Sequence, residues 1–171
     1  MTMIPPDQAI LLLFGQEDIG AIEGWFRIVD GEIVARGAGL TEIAGAGDDE
    51  RVMLALRGPD VAIDWVELPA LTEPQAIAAA RLALAERSVA GIDHLHVAIG
   101  DVHGGRRMVA TIDTDRLSGW IAWAQGEGLD PDHVVPLPLL IAYGEGPARL
   151  WERHGLGHVR GHDRLSRLRS T

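Results

Sequence analysis

The chain contains no cysteine and no lysine, and its only aromatic residues besides five tryptophans are one tyrosine and two phenylalanines. Without cysteine there is no disulfide, no thiolate catalysis and no cysteine-ligated metal, and a cytosolic setting is compatible. Without lysine, every strongly basic residue is arginine. Alongside the alanine and glycine content this reads as coding bias rather than a functional device. No stretch approaches the roughly 18 apolar residues of a membrane-spanning helix. No basic segment followed by a long apolar run opens the chain, so no secretory signal is expected. Low-complexity tracts are missing as well, and 47% of the residues are hydrophobic, so an ordered core is expected. Base is scarce relative to acid. The net charge of −10 over 171 residues argues against nucleic acid, and against an anionic membrane surface, as the main partner.

The clearest organising stretch is Val61 to Leu84, VAIDWVELPALTEPQAIAAARLAL. Val61 to Leu68 is rich in β-branched, aromatic and aliphatic residues and reads as a strand. Both of its faces are largely apolar, which predicts a central strand covered on both sides. Pro69 lacks an N–H and ends it. Thr72 and Gln75 fit a capping box with Pro74 in the first helical turn, and a helix is predicted to about Val89, with Gly91 beyond it. Its alanines, among them Ala76 and Ala80, suit close approach to a sheet.

Before this stretch, Ala9–Phe14 reads as a strand and Gly15–Ala21 as a turn. Gly24–Val29 and Glu32–Gly37 read as a hairpin around Asp30-Gly31. Ala38–Asp49 is a glycine-rich loop, Arg51–Leu56 a strand and Gly58-Pro59-Asp60 a turn. After it, His94–Ile99 and Arg106–Ile112 read as strands joined by a turn at Gly100–Gly105. A second helix is capped by Asp113 or Thr114, carries the stripe Leu117, Trp120, Ile121 and Ala124, and closes at Gly128. His133–Val135 reads as a short strand. Ala148–Glu152 and Leu156–Val159 read as a last hairpin around His154-Gly155, and Gly161–Thr171 is arginine-rich and weakly patterned. The order predicts a mixed α/β (α+β) architecture, compatible with the ribonuclease-H-like arrangement of antiparallel strands followed by alternating helices and strands. Two subdomains are expected, a β-rich one over about 1–60 and a mixed one over about 61–171.

Each chemical candidate has an ordinary reading beside it. His94 and His96 share a strand face, as two metal ligands do, but the spacing is also that of surface histidines. His154, His158 and His162 would form a stripe only on a helix, which Gly155, Gly157 and Gly161 oppose. Asp64 alternates with apolar residues; it reads as an ion-paired or strand-end carboxylate before it reads as a general acid or base. Glu67 reads as solvent-facing, and Asp48-Asp49-Glu50 as a solvated loop without calcium-loop spacing. Gly15–Gly20 and Gly100–Gly105, the latter with Asp101 and His103, carry no phosphate-loop motif and read as turns. Ser88, Ser118, Ser166 and Ser170 lie in no nucleophile elbow. Of the tryptophans, Trp120 fits the helical core stripe and Trp123 flanks it; Trp25, Trp65 and Trp151 read as packing residues or interface anchors. Catalytic, cofactor-binding and metal residues are therefore expected to be none, and partner-binding residues stay unassigned.

The segment DWVELPALTEPQAIAAARLALAE, with ERVMLALRGPDVAI before it, resembles the cytoplasmic region of type II secretion system protein L. The residues that carry the resemblance are Val61, Trp65, Leu68, Pro69 and the Ala76–Ala85 helix. The surroundings agree: the apolar first strand, the GWFRI and Asp30-Gly31 hairpin, HLHVAIGD, Met108–Ile112, and Gly128-Leu129-Asp130-Pro131 followed by Pro136 and Pro138. The similarity extends over roughly Ala9 to Gly161. It implies an actin-like ATPase fold that has lost nucleotide hydrolysis, in a protein that holds the cytoplasmic secretion ATPase at the inner membrane and couples it to the platform. The implied partners are the N-terminal domain of that ATPase, protein M of the same system and a second copy of the chain, with the acidic surface meeting a basic patch. Members of that family continue into a further cytoplasmic subdomain, a single membrane span and a periplasmic domain. The present chain is therefore expected to be a soluble fragment of the cytoplasmic part. Competing expectations are an actin-like enzyme that still binds nucleotide, using the Gly15–Gly20 turn that follows the first strand, and a small metal-dependent hydrolase built on His94 and His96.

Overall fold

The computed structural model describes residues 10–15, 18–40, 43, 50–68, 71–86, 91–140, 148–153, 156–161 and 165–169. The strands are β1 (Ile10–Gly15), β2 (Ile22–Val29), β3 (Glu32–Gly37), β4 (Arg51–Leu56), β5 (Val61–Glu67), β6 (Leu95–His103), β7 (Arg106–Asp113), β8 (Pro131–Pro136), β9 (Ala148–Arg153), β10 (Leu156–Gly161) and β11 (Leu165–Arg169). The helices are α1 (Glu73–Ala85) and α2 (Thr114–Gly126). Two compact units divide the chain, Pro59–Leu117 on one side and Thr2–Gly58 with Ser118–Thr171 on the other. The first division lies close to residue 60, and the chain then crosses back at 117/118, within α2.

In the larger unit, β3-β2-β1-β4-β8 form a five-stranded sheet. The first three strands are an antiparallel meander, and β4 and β8 are added parallel to β1. The meander closes at Asp30-Gly31, where φ is 51° and 79°. Two successive left-handed residues give the turn whose twist matches the flanking strands, and Asp and Gly are the residues that tolerate it. A parallel neighbour needs a crossover rather than a tight turn, and a helix, α2, lies between β4 and β8 in sequence. β4 is buried from Val52 to Leu56, as befits a strand with a parallel neighbour on each side. Met53, Ala55 and Leu137 form a core against which Phe26, Ile28 and Val135 pack. This antiparallel-then-alternating order is the mixed α/β arrangement the sequence predicts.

In the unit Pro59–Leu117, β5-β7-β6 form a three-stranded antiparallel sheet. Val66, Val97 and Val109 pack with Ala80 of α1, where a side chain of one methyl lets helix and sheet approach closely. The expectation of a central β5 is corrected here: β7 is central and β5 is an edge strand. Ala62 and Glu67 are exposed and Ile63 and Trp65 only half-buried, so the apolar character of both faces overstated the cover. α1 is capped as predicted: the Thr72 N–H donates to Gln75 Oε1 at 3.1 Å. It ends at Ala85, short of the predicted Val89, which like Pro69 lies outside the described residues. Arg81 donates to the carbonyls of Leu95 and Ile92 and so ties α1 to the start of β6.

A second correction concerns Gly100–Gly105. β6 runs on to His103 through a register shift between Ile99 and Val102, and the turn is Gly104-Gly105 alone, with φ of 57° and 78°. Gly100 belongs to the strand. A Cβ there would lie 2.5 Å from Met108 Cε, so this glycine makes room for a neighbouring side chain rather than for a bend.

α2 follows its sequence signals closely. Asp113 Oδ1 accepts the Arg116 N–H at 3.0 Å, Trp120 and Ala124 are buried, and Leu117 and Ile121 are half-buried. At its end the Leu129 N–H donates to the Ala124 carbonyl at 2.9 Å and the Gly128 N–H to that of Gln125 at 3.0 Å. With Gly128 at φ 78° this is a Schellman ending. β9, β10 and β11 form a separate antiparallel ribbon in the order β11-β10-β9. The first two are the predicted hairpin. β11 (LSRLR) is a strand that the weakly patterned tail did not announce, for its two leucines are three residues apart and show no period-two alternation.

Candidate functional site

The turn after β1 is where the sequence reading places a retained nucleotide site, if there is one. Its two end glycines back onto tryptophans. A Cβ at Gly15 would lie 3.0 Å from both Cη2 and Cζ2 of Trp120, and one at Gly20 would lie 3.2 Å from Trp123 Cδ1. Trp120 is fully buried, and the two indoles meet edge to face with centroids 5.4 Å apart. Ile19 presses on the same helix at Gly119, where an added Cβ would lie 2.7 Å from Ile19 Cδ1. The Ala21 N–H donates to the Asp18 carbonyl at 3.1 Å, closing the turn on itself. On the side where a Cβ would stand, the glycines at both ends of this turn face indole carbon. The Trp120 Nε1–H is buried and has no acceptor among the described residues. Gln16 and Glu17 lie outside those residues.

The other candidates do not converge. His96 is exposed on β6 opposite Ile112, whereas His94 precedes the strand, so the pair does not share one strand. Among the described residues no three His, Cys, Asp or Glu side chains gather as a metal site would require. Asp64 is half-buried on the edge strand β5 opposite Val109. Glu67 is exposed opposite Arg106, as expected, and Asp101 is exposed on β6. Ser118 is exposed on α2 and Ser166 lies opposite Val159. Ser88, Ser170, His154, His162, Asp48 and Asp49 fall outside the described residues.

Glu50 is a correction. The acidic triplet reads as solvated from sequence, yet the Glu50 side chain is 6% exposed and takes two hydrogen bonds from Arg27, Nε to Oε1 at 2.7 Å and Nη2 to Oε2 at 3.1 Å. The hydrogen bond to Glu50 raises the Arg27 pKa, burial opposes it, and the attraction of the two charges adds to the rise. The guanidinium carbon lies 6.0 Å from the ring centroid of Trp25, whose indole N–H donates to the Gly39 carbonyl at 3.1 Å. Together these fasten both ends of the 38–50 segment to β2. Sequence reasoning passed over this group. Its signal was an arginine alternating with Trp25 on a strand whose partners are apolar.

For a partner, the exposed apolar side chains matter more than the polar ones. Ile33 and Val34 are each 58% exposed on β3, an edge of the five-stranded sheet, and with Ala35 and Arg36 they line a shallow groove. A free edge carries a row of unpaired backbone donors and acceptors; here a register shift between Arg27 and Ile28 and the exposed Glu32 and Arg36 blunt it.

The family model for type II secretion system protein L matches residues 27–144. The curated type II secretion system protein L of Dickeya chrysanthemi is 32% identical over 77 residues, which is 45% of this chain and 19% of that protein. The matched stretch thus spans less than a fifth of that relative's length. Among solved structures, the cytoplasmic domain of EpsL, an inner membrane component of the type II secretion system of Vibrio cholerae, superposes with a TM-score of 0.78 at 20% identity, covering 95% of this chain and 71% of that one. The PilM-PilN type IV pilus biogenesis complex superposes with a TM-score of 0.56 at 15% identity, covering 94% and 60%. At such identities the likeness is one of fold, and the fold is the mixed α/β, actin-like one.

Proposed function

The chain belongs to the type II secretion system protein L family, and from that premise we propose that it is a non-catalytic component of the inner-membrane platform that recruits the cytoplasmic secretion ATPase and couples it to protein export. The observation that carries the reading is the family match over residues 27–144, most of the described fold. The non-catalytic half is supported by the sequence of the turn after β1, which carries no phosphate-loop motif and no lysine or serine to hold a phosphate. The partners we assign are the N-terminal domain of the secretion ATPase, protein M of the same system and a second copy of the chain. The place is the cytoplasmic side of the bacterial inner membrane. No helix among the described residues is long and apolar enough to cross a membrane.

The test is capture. The N-terminal domain of the cognate secretion ATPase, immobilised, is expected to retain the folded chain. A sample with a cooperative thermal transition that passes straight through would remove the proposal.

A further inference from the structure

The sheet edges of this chain are not treated alike. β8, at one edge of the five-stranded sheet, begins and ends in proline, which offers no N–H to a further strand. On β5 the Trp65 carbonyl accepts from the Arg106 guanidinium at 2.7 Å, and on β6 the Leu95 carbonyl accepts from Arg81 at 3.0 Å. β3 has no such cover among the described residues. Ile33 and Val34 are each 58% exposed there and, with Ala35 and Arg36, line the shallow groove. The register pairs Ile33 with Ile28 and Ala35 with Arg27, so Val34 is the extra residue of a bulge, with no partner on β2. Glu32 and Arg36 stand exposed on either side of it. They lie roughly 13 Å apart along the strand, too far to neutralise one another. Among the described residues neither side chain has an ion-pair partner.

This edge is self-complementary. The run Glu32-Ile33-Val34-Ala35-Arg36 carries an acid at one end, a base at the other and apolar residues between them. Laid antiparallel on a second copy about a twofold axis at Val34, it brings Glu32 towards Arg36 of the copy, and Arg36 towards the copy's Glu32. The apolar side chains meet at the axis, where the two bulges come together. A twofold contact of this kind uses one patch on both subunits. A parallel arrangement would instead set acid beside acid and base beside base, which destabilises. An unrelated straight strand would meet the bulge and two unmatched charges, the devices that protect an edge from indiscriminate pairing. We propose that the β3 edge is the surface through which two copies of this chain associate, antiparallel about Val34. The proposal rests on the reading above, which counts a second copy among the partners, and it supplies the surface. Five residues bury less than the roughly 800 Å² per partner of a stable interface, so the contact alone is weak, with a Kd on the order of 10–100 μM.

Sedimentation velocity of the 171-residue chain at about 100 μM and low salt tests the proposal. The parent is expected to show dimer. Glu32→Arg, or Arg36→Glu, turns both symmetric contacts repulsive at once and should weaken association about tenfold. Both positions are exposed, so the thermal transition should not move. Mixed in equal amounts, the two single variants should associate again, because each then meets its opposite charge. The double variant carrying both reversals should associate as the parent does. The absence of cysteine gives a second readout. Val34→Cys is expected to cross-link into a covalent dimer on mild oxidation, and Leu82→Cys, 71% exposed on α1, to stay single. A parent that is monomeric at this concentration would leave the edge to a different protein and overturn the proposal. So would single variants that dimerise as the parent does, a mixture that stays monomeric, or equal cross-linking through Leu82→Cys. Capture by the ATPase domain separates the two claims. If a monomeric Glu32→Arg chain is still captured, only the self-contact has been altered; if the parent dimerises but is not captured, the platform reading fails and the β3 contact stands.

Discussion

Arg27 and Glu50 behave as one group. The Glu50 side chain is 6% exposed and that of Arg27 24%, so the pair sits between the surface regime, where an ion pair is worth at most about 1 kcal/mol, and the buried one, where removing a partner costs about 3–5 kcal/mol. Arg27→Ala is expected to destabilise the chain by about 2 kcal/mol, read as a lower urea midpoint at unchanged slope. Arg27→Lys should lose less, because it keeps the charge and gives up only the two-pronged geometry. The folded-state pKa of Arg27 is raised, so its contribution is complete below the ordinary arginine value and is lost only as pH rises through the raised one. From the arginine side, stability should therefore be flat across neutral pH, and a loss of stability on going from pH 6 to 9 that vanishes in Arg27→Ala would contradict this. The glycines give a second contrast. Gly15→Ala meets the rigid, fully buried ring of Trp120, an overpacking cost of about 1–3 kcal/mol. Gly100→Ala meets Met108, whose flexible thioether can turn aside, and thermal shifts should rank Gly15→Ala as the more damaging.

At the scale of elements, legibility followed how local the signal was. The Asp30-Gly31 hairpin, the capping box of α1 and the whole of α2 were readable because each is decided within a few neighbouring residues. The ending of α2 allows a direct check: Gly128→Ala places a Cβ at φ 78° and should cost about 1 kcal/mol, whereas Gly126→Ala, inside the helix with open space around it, should stabilise by a similar amount. Melting of the two variants in opposite directions is the expected result. What could not be read was decided by neighbours distant in sequence. β5 reads as central because both its faces are apolar, yet its rank in the sheet depends on β7. Gly100 reads as a turn residue because Met108 cannot be seen beside it. β11 escaped notice because Leu165 and Leu168 are three apart, so the segment lacks the period-two alternation by which a strand is read.

For the molecule as a whole, the family and the fold class were legible. The motifs for phosphate, metal and nucleophile were missing from the sequence, whereas the packing of Trp120 against Gly15 joins the turn after β1 to α2, a hundred residues further along, and only the fold brings the two together. The corresponding expectation is calorimetric: titration with Mg-ATP should give no heat above dilution, and a saturable signal would reinstate the actin-like enzyme. The same contact also ties two distant positions together. Because Trp120 fills the space facing Gly15, a larger residue at position 15 is accommodated better once position 120 has shrunk, whereas shrinking Trp120 alone opens a cavity costing about 3–5 kcal/mol. The two positions are therefore coupled: shrinking Trp120 and enlarging residue 15 together should cost less than the sum of the two single substitutions.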